Sequence, residues 1–339
     1  MPYVGSFPNV RLRRLRKNNN LRQLIQETYL HTDRLISPLF IKHGTGVKNP
    51  VLSMPGHFQW SIDTLPEEID SLLRAGIKQV MLFGIPSQKD SLGTDSYSDS
   101  GIIQTAIKTI KKIAPECLVI SDICLCEYTD HGHCGVVKPQ ELKTEVHIDN
   151  DCTLELLAKQ AVSHAKAGAD IIAPSANMDG MVQAIRQALD QSDYTHLPIF
   201  SYSVKYASAL YGPFRQAAEG APKFGDRRTY QMDIANAQEA LRECALDIAE
   251  GADMLMVKPA HTYLDIISRV KQAYPALPLA AYHTSGEYAM IKAAAEKGWV
   301  DEQKSALEVL TSIHRAGADF IITYFAKQVA GWLRDMPNL

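Results

Sequence analysis

The chain has 339 residues, 46% of them hydrophobic and 22% charged, a composition that excludes a disordered or fibrous protein. A net charge of −3 gives no electrostatic footprint for nucleic acid, and no apolar run approaches the roughly 18 residues of a membrane span. The first twenty residues carry cations but no apolar leader segment, so the expectation is a cytoplasmic protein.

Residues 1–33 precede the first apolar run and read as an N-terminal arm, separate from a domain over 34–339. In the arm, Leu12 and Leu15 stand among the cations of RLRRLRK, and Leu21, Leu24 and Ile25 follow at helical spacing. An arm alone cannot bury them, so it is expected to pack on a neighbouring subunit. Eight apolar runs then follow, near 35–42, 78–85, 118–126, 170–175, 198–205, 254–259, 279–283 and 320–325, spaced by about 41 residues. Helical patterns lie between most of them, among them 101–113, 236–249, 262–273 and 286–297.

A short unit repeats: KAGADIIAPS at 166–175, AEGADMLMVK at 249–258 and RAGADFIITY at 315–324, with a looser copy, RAGIKQVMLF, at 74–83. In each, glycine suits the left-handed residue that ends a helix, and the apolar run suits a strand buried on both faces. The repeat therefore predicts parallel strands joined by helices, and eight such strands in one domain predict a (β/α)8 barrel of the TIM type with an extended arm. The long connections 127–169 and 206–253 are the loops expected to carry function.

Alternation along the strands then gathers polar residues. Ser175, Lys258 and Tyr324 end their strands in the same phase, and Lys205 is expected to share a face with Ser201 and Ser203. Asp122, Cys124 and Cys126 are expected on one strand face. In barrel enzymes the chemistry sits at this carboxyl end. Two neighbouring lysines oppose each other's charging, and a neutral amine is the nucleophile that attacks a ketone to form a Schiff base. The loop blocks Tyr211–Arg215 and 225–231 add Arg215, Arg227 and Gln231, and guanidinium forks suit carboxylates. Ser285 has a competing reading, because Thr284 and Glu287 match a helix capping box.

Six cysteines without a leader argue against a disulfide framework. Cys124, Cys126 and Cys134 crowd into eleven residues and supply three soft ligands, the number that leaves a catalytic zinc an open position. His131 and His133 are candidates for the fourth place and equally for loop or supporting roles. Cys117, Cys152 and Cys244 read as small core or helix residues.

These residues, in the blocks SDICLCEYTDHGHCG, SYSVKYASALYGPFR, GDRRTYQ, MLMVKPA, YHTSGEYAM and RAGADFIITY, resemble the porphobilinogen synthase (5-aminolevulinate dehydratase) family. The resemblance implies a commonly octameric (β/α)8 barrel that condenses two 5-aminolevulinate molecules to porphobilinogen with loss of two waters. It implies a substrate Schiff base on Lys258, a second on Lys205, and zinc on Cys124, Cys126 and Cys134. It further implies Asp122 and Ser175 at the bond-forming centre, Tyr211 as a substrate contact, and Arg215, Arg227 and Gln231 on a lid that takes one carboxylate. Ser285 and Tyr324 would take the other, and Glu243 would support an allosteric magnesium. One segment departs: APSANMDGMV stands where the family usually reads APSDMMDGRV, so Ala176 and Met181 replace an Asp and an Arg. Two readings explain fewer residues. A metal-independent Schiff-base aldolase leaves the cysteines unused, and a zinc-stabilised binding module leaves the lysines unused.

Overall fold

The computed structural model describes residues 5–138 and 146–335. Eight strands form its centre: β1 Leu35–Lys42, β2 Gln79–Ile85, β3 Leu118–Ile123, β4 Ile171–Pro174, β5 Phe200–Lys205, β6 Met254–Lys258, β7 Leu279–His283 and β8 Phe320–Thr323. All neighbours are parallel, in the order β4-β3-β2-β1-β8-β7-β6-β5. A parallel bridge between Ile172 and Ile199 joins the two ends of that order, so the sheet is a nearly closed barrel. The outer helices are α1 Leu65–Ala75, α2 Ile102–Ile113, α3 Asn150–Ala167, α4 Met181–Gln191, α5 Glu239–Glu250, α6 Leu264–Ala273, α7 Ser285–Glu296, α8 Glu302–Ala316 and α9 Ala326–Asp335.

The repeated unit has a physical cause in both of its punctuating residues. Gly76, Gly168, Gly251 and Gly317 follow α1, α3, α5 and α8 with φ of 92°, 103°, 106° and 124°, a region costly for any residue with a Cβ. The Asp two residues later in the three close copies ties its strand to an earlier one. Asp170 accepts from the Val119 N–H at 2.7 Å, Asp253 from Ile199 at 2.7 Å and Asp319 from Leu279 at 2.8 Å. Each copy thus ends a helix, begins a strand and fastens that strand to its neighbour. Replacing Asp319 by alanine frees both the Leu279 N–H and Lys271, which also bonds Asp319. The expected loss is about 1–2 kcal/mol, read as a lowered melting temperature.

Two sequence expectations need correction. Strand β3 ends at Ile123, so Cys124 and Cys126 do not continue the face of Asp122. They sit in a tight turn in which the N–H groups of Tyr128 and Thr129 both bond the Leu125 carbonyl. Lys205 is also out of phase with Ser201 and Ser203. Leu255 pairs with Ser201 and Val257 with Val204, so β5 carries one extra residue, a bulge. Ser201 points outward to Asp247 of α5 (2.6 Å), whereas Lys205 points into the barrel mouth.

The arm holds a 3-10 turn at Leu12–Arg16 and a short helix at Asn19–Leu24, neither with a buried residue. Leu12, Leu15, Leu24 and Ile25 are all exposed. Among the described residues, no helix is long and apolar enough to cross a membrane.

Candidate active site

Strand register brings the two lysines together. Lys258 and Lys205 are paired Cα partners at the carboxyl ends of β6 and β5. Both are buried and both line one narrow cleft, with Asp122, Ser175, Tyr211 and Cys126 among its walls. Arg215 and Arg227, from the loop after β5, also line it.

The Lys258 ammonium position is walled by rings. Its Nζ lies 4.1 Å from the Tyr282 ring centre, 5.0 Å from Tyr202, 5.2 Å from Phe214 and 5.3 Å from Tyr211. Burial, and then the charge of Lys205, lower its pKa to about 7, against Asp122 and Glu127, which act in the opposite sense. At neutral pH a large fraction of Lys258 is therefore a free amine. Lys205 Nζ instead donates to the Ser175 carbonyl, and its ring contact with Tyr202 is longer, 5.5 Å.

Ser175 donates to one oxygen of Asp122 at 3.1 Å, while the other Asp122 oxygen is buried without a partner. Burial and then Glu127 raise the Asp122 carboxyl to about 7. A carboxyl so held can keep or release a proton beside the lysines.

The sulfurs of Cys124, Cys126 and Cys134 lie within 4.8 Å of one another, all buried, and no other such group of metal-ligating side chains occurs among the described residues. All six cysteines are free. Burial pushes the Cys124 thiol well up, whereas hydrogen bonds from Cys124 and Cys126 hold Cys134 well below the ordinary thiol range. Three converging soft donors, one already inclined to ionise, fit a thiophilic divalent ion. His131 and His133 are not in this group. His133 faces the long loop after β5 instead, its ring nitrogens 3.0 Å from the Tyr230 hydroxyl and 2.9 Å from the Phe224 carbonyl.

Other expected residues fall just outside the cleft. Tyr324 reaches it indirectly, its hydroxyl 3.1 Å from that of Tyr282. Ser285 is buried at the start of α7, accepting from the Phe214 N–H at 2.9 Å, beside the capping box of Thr284 and Glu287. Ser285 therefore holds the start of the loop after β5 in this structure. Gln231 lines a neighbouring polar cavity, and both of its amide atoms are buried without partners. That cavity also contains Glu239, Glu243 and Asp247. Burial, then Asp247, Asp179 and Glu239, raise the Glu243 carboxyl to about 7. Ala176 and Met181 are both buried, so no charge is stranded at either position.

Sequence reasoning missed Glu127 and the aromatic wall of Tyr202, Tyr282 and Phe214. Glu127 lines the cleft, accepts from Cys126 Sγ at 3.2 Å and is raised to about 8 by burial and then by Cys126. Its position inside the cysteine block was the available signal. Tyr202 was hidden by the bulge, which reverses the apparent alternation of β5.

A parallel eight-strand barrel with reactive side chains converging at its strand ends is the architecture of a (β/α)8 enzyme. A family model described as delta-aminolevulinic acid dehydratase matches residues 9–332. The delta-aminolevulinic acid dehydratases of Synechocystis sp. and Bacillus subtilis are 55% and 54% identical to this chain. They cover 97% and 96% of it, and the alignments span 100% and 98% of their own lengths. The crystal structure of the enzyme from Toxoplasma gondii ME49, in complex with the reaction product porphobilinogen, aligns at 45% identity with a TM-score of 0.92. It covers 96% of this chain and 92% of its own. The chain belongs to the delta-aminolevulinic acid dehydratase (porphobilinogen synthase) family of lyases.

Proposed function

We propose that this enzyme makes porphobilinogen from two molecules of 5-aminolevulinate, releasing two waters, through Schiff bases on Lys258 and Lys205. The observation that carries the reading is the registered lysine pair inside one cleft. The neutral Lys258 amine adds to the keto carbon of one substrate, and loss of water gives the imine. Lys205 holds the second substrate in the same way. Asp122, bonded to Ser175, holds and returns a proton at the carbon–carbon bond-forming centre. After the carbon–carbon bond forms, one lysine leaves as its amine by elimination, and the amino group of one substrate displaces the other lysine from its imine as the pyrrole ring closes, so both lysines are freed.

Arg215, Arg227 and Gln231 serve one substrate carboxylate, and Ser285 and Tyr324 the other, with Tyr211 completing the pocket. The lid exclusion of water favours imine formation. Cys124, Cys126 and Cys134 are assigned to zinc, which when bound supplies Lewis acidity beside the cleft that Cys126 borders. Glu243, among carboxyls that oppose its charging, is assigned to an allosteric magnesium. The direct test of the reading is incubation with 5-aminolevulinate and a colorimetric assay for the pyrrole. Absence of pyrrole from folded, zinc-loaded protein rejects it.

The same reading makes the protein a cytoplasmic homo-octamer whose residues 1–33 form an arm outside the 34–339 barrel. The exposed Leu12, Leu15, Leu24 and Ile25 support it, since apolar residues grouped on a segment without a core mark a contact surface. Deleting residues 1–33 is expected to lower the particle mass in light scattering below that of the octamer. An unchanged octamer would remove the arm from assembly.

A further inference from the structure

The lid after β5 is fastened at one point that neither the catalytic chemistry nor the metal site uses. The short helix Gly212–Ala217 ends in a turn where Glu219 has φ of 51°, a left-handed conformation unfavourable for a residue with a Cβ. Three side chains from three other elements meet this turn. Lys42, the last residue of β1, pairs with the Glu219 carboxylate. Lys89, from the loop after β2, donates to the Glu219 carbonyl at 2.6 Å. Gln59, from the short strand Phe58–Trp60 beside β1, is buried and donates to the Ala217 carbonyl at 2.7 Å and to the Glu219 carboxylate at 3.2 Å.

From these contacts we infer that Glu219, with Lys42, Gln59 and Lys89, is a latch that holds the lid closed and so positions Arg215 and Arg227 over the cleft. This inference rests on the lid role given to those arginines above. The next residue shows how the latch acts at a distance. The Gly220 carbonyl accepts from Arg227 at 2.7 Å, and the same guanidinium nitrogen donates to the Gly132 carbonyl at 3.0 Å. Gly220 also packs so closely on the cysteine turn that a Cβ would lie 3.2 Å from the Cys126 carbonyl. Fixing Glu219 therefore fixes the acceptor that aims Arg227.

The ion pair is partly exposed and alone would contribute little. The buried Gln59 is the stronger anchor, because it satisfies a carbonyl that the end of the helix leaves without an intrahelical partner. A left-handed non-glycine residue persists where its surroundings over-determine it, and here three hydrogen bonds and an ion pair do so at Ala217 and Glu219. Glu219, Gln59, Lys42 and Lys89 are thus positioning residues; none is assigned a contact with substrate.

The test compares wild type with Glu219→Gln, Gln59→Leu and the paired exchange Lys42→Glu with Glu219→Lys, all in the full chain. Backbone amide hydrogen exchange is followed over residues 212–232, beside KM, kcat and borohydride trapping of 5-aminolevulinate on Lys258. The latch predicts lid exchange at least about tenfold faster in Gln59→Leu and a smaller acceleration in Glu219→Gln, with exchange in the barrel strands unchanged. It predicts a rise in KM of about tenfold, a smaller change in kcat, and full trapping at saturating substrate. The paired exchange is expected to recover most of the protection that Lys42→Glu alone removes. Lid exchange equal to wild type in both Gln59→Leu and Glu219→Gln overturns the latch, as does a uniform loss of protection across the barrel. A failed enzymatic reading appears separately, as a wild-type protein that forms neither pyrrole nor adduct.

Discussion

Replacing Lys258 by methionine is expected to lower porphobilinogen formation by about 10⁴-fold or more, the scale of removing a covalent nucleophile. The substitution is chosen to separate chemistry from folding. Methionine is close to lysine in length, and its thioether suits the rings of Tyr202, Tyr282, Phe214 and Tyr211 that surround Nζ. It also removes an amine whose charging burial already opposes, so the melting temperature should hold or rise. Lys205 cannot take over, because its Nζ is directed to the Ser175 carbonyl rather than into the aromatic box. Borohydride reduction with limiting 5-aminolevulinate should therefore label Lys258 in the wild type and in Lys205→Met, and leave position 258 unlabelled in Lys258→Met. Lys205→Met should itself be severely slowed in turnover. The label also has a predicted pH dependence. Lys258 has a depressed pKa, so its amine is neutral above about 7 and protonated below it. The initial trapping rate should be full at pH 8 and fall as pH drops through about 7. A label mapped to another residue, or a midpoint in the range of an ordinary lysine, would overturn the assignment.

The barrel was legible because its punctuation is local. A glycine at positive φ recurs in the chain at Gly168, Gly251 and Gly317 and needs only its own helix end to act, and the aspartate that repeats two residues later, Asp170, Asp253 and Asp319, marks the unit although its partner lies on another strand. Lys258 was legible for the same reason, as the last residue of an apolar run that alternates regularly. Lys205 was found by an argument that failed in detail. Its strand carries an extra residue opposite β6, and the true inward partner two strand positions before it is not what alternation assigns. Bulges depend on the neighbouring strand and leave no mark in the strand's own sequence. The cysteines were found by spacing rather than phase, and the turn that converges them depends on the Leu125 carbonyl accepting two N–H groups. Lid contacts were the least legible part. Gln59 and Glu219 are 160 residues apart, and nothing local to either announces the other.

Stripping the metal from the three-cysteine centre is expected to abolish porphobilinogen formation while changing the melting temperature by only a few degrees. The outcome turns on where the charge goes when the metal leaves. Cys124, Cys126 and Cys134 are buried, and three thiolates left there without a cation would destabilise the fold severely. Thiols have an alternative, since each sulfur can take a proton and become a neutral core group. Burial already pushes Cys124 far toward that form. The remaining inclination of Cys134 to ionise is met by hydrogen bonds from its two neighbours and by the nearby Arg227 charge. The turn itself is held by backbone bonds from Tyr128 and Thr129 to Leu125 and by the Thr129 hydroxyl donating to the His133 carbonyl at 3.0 Å. None of those bonds needs a metal. A structural zinc would behave in the opposite way, its binding energy being folding energy, so that chelation unfolds the protein. The experiment chelates the metal, verifies its removal by elemental analysis, and then measures the pyrrole assay and the thermal melt on one sample. Loss of activity with a retained melt, reversed by adding zinc, is the expected result. Proton release should accompany that addition, because the metal displaces protons from thiols. Full activity in a verified metal-free sample would remove the centre from catalysis, and a melt that collapses with the activity would make it a structural clip.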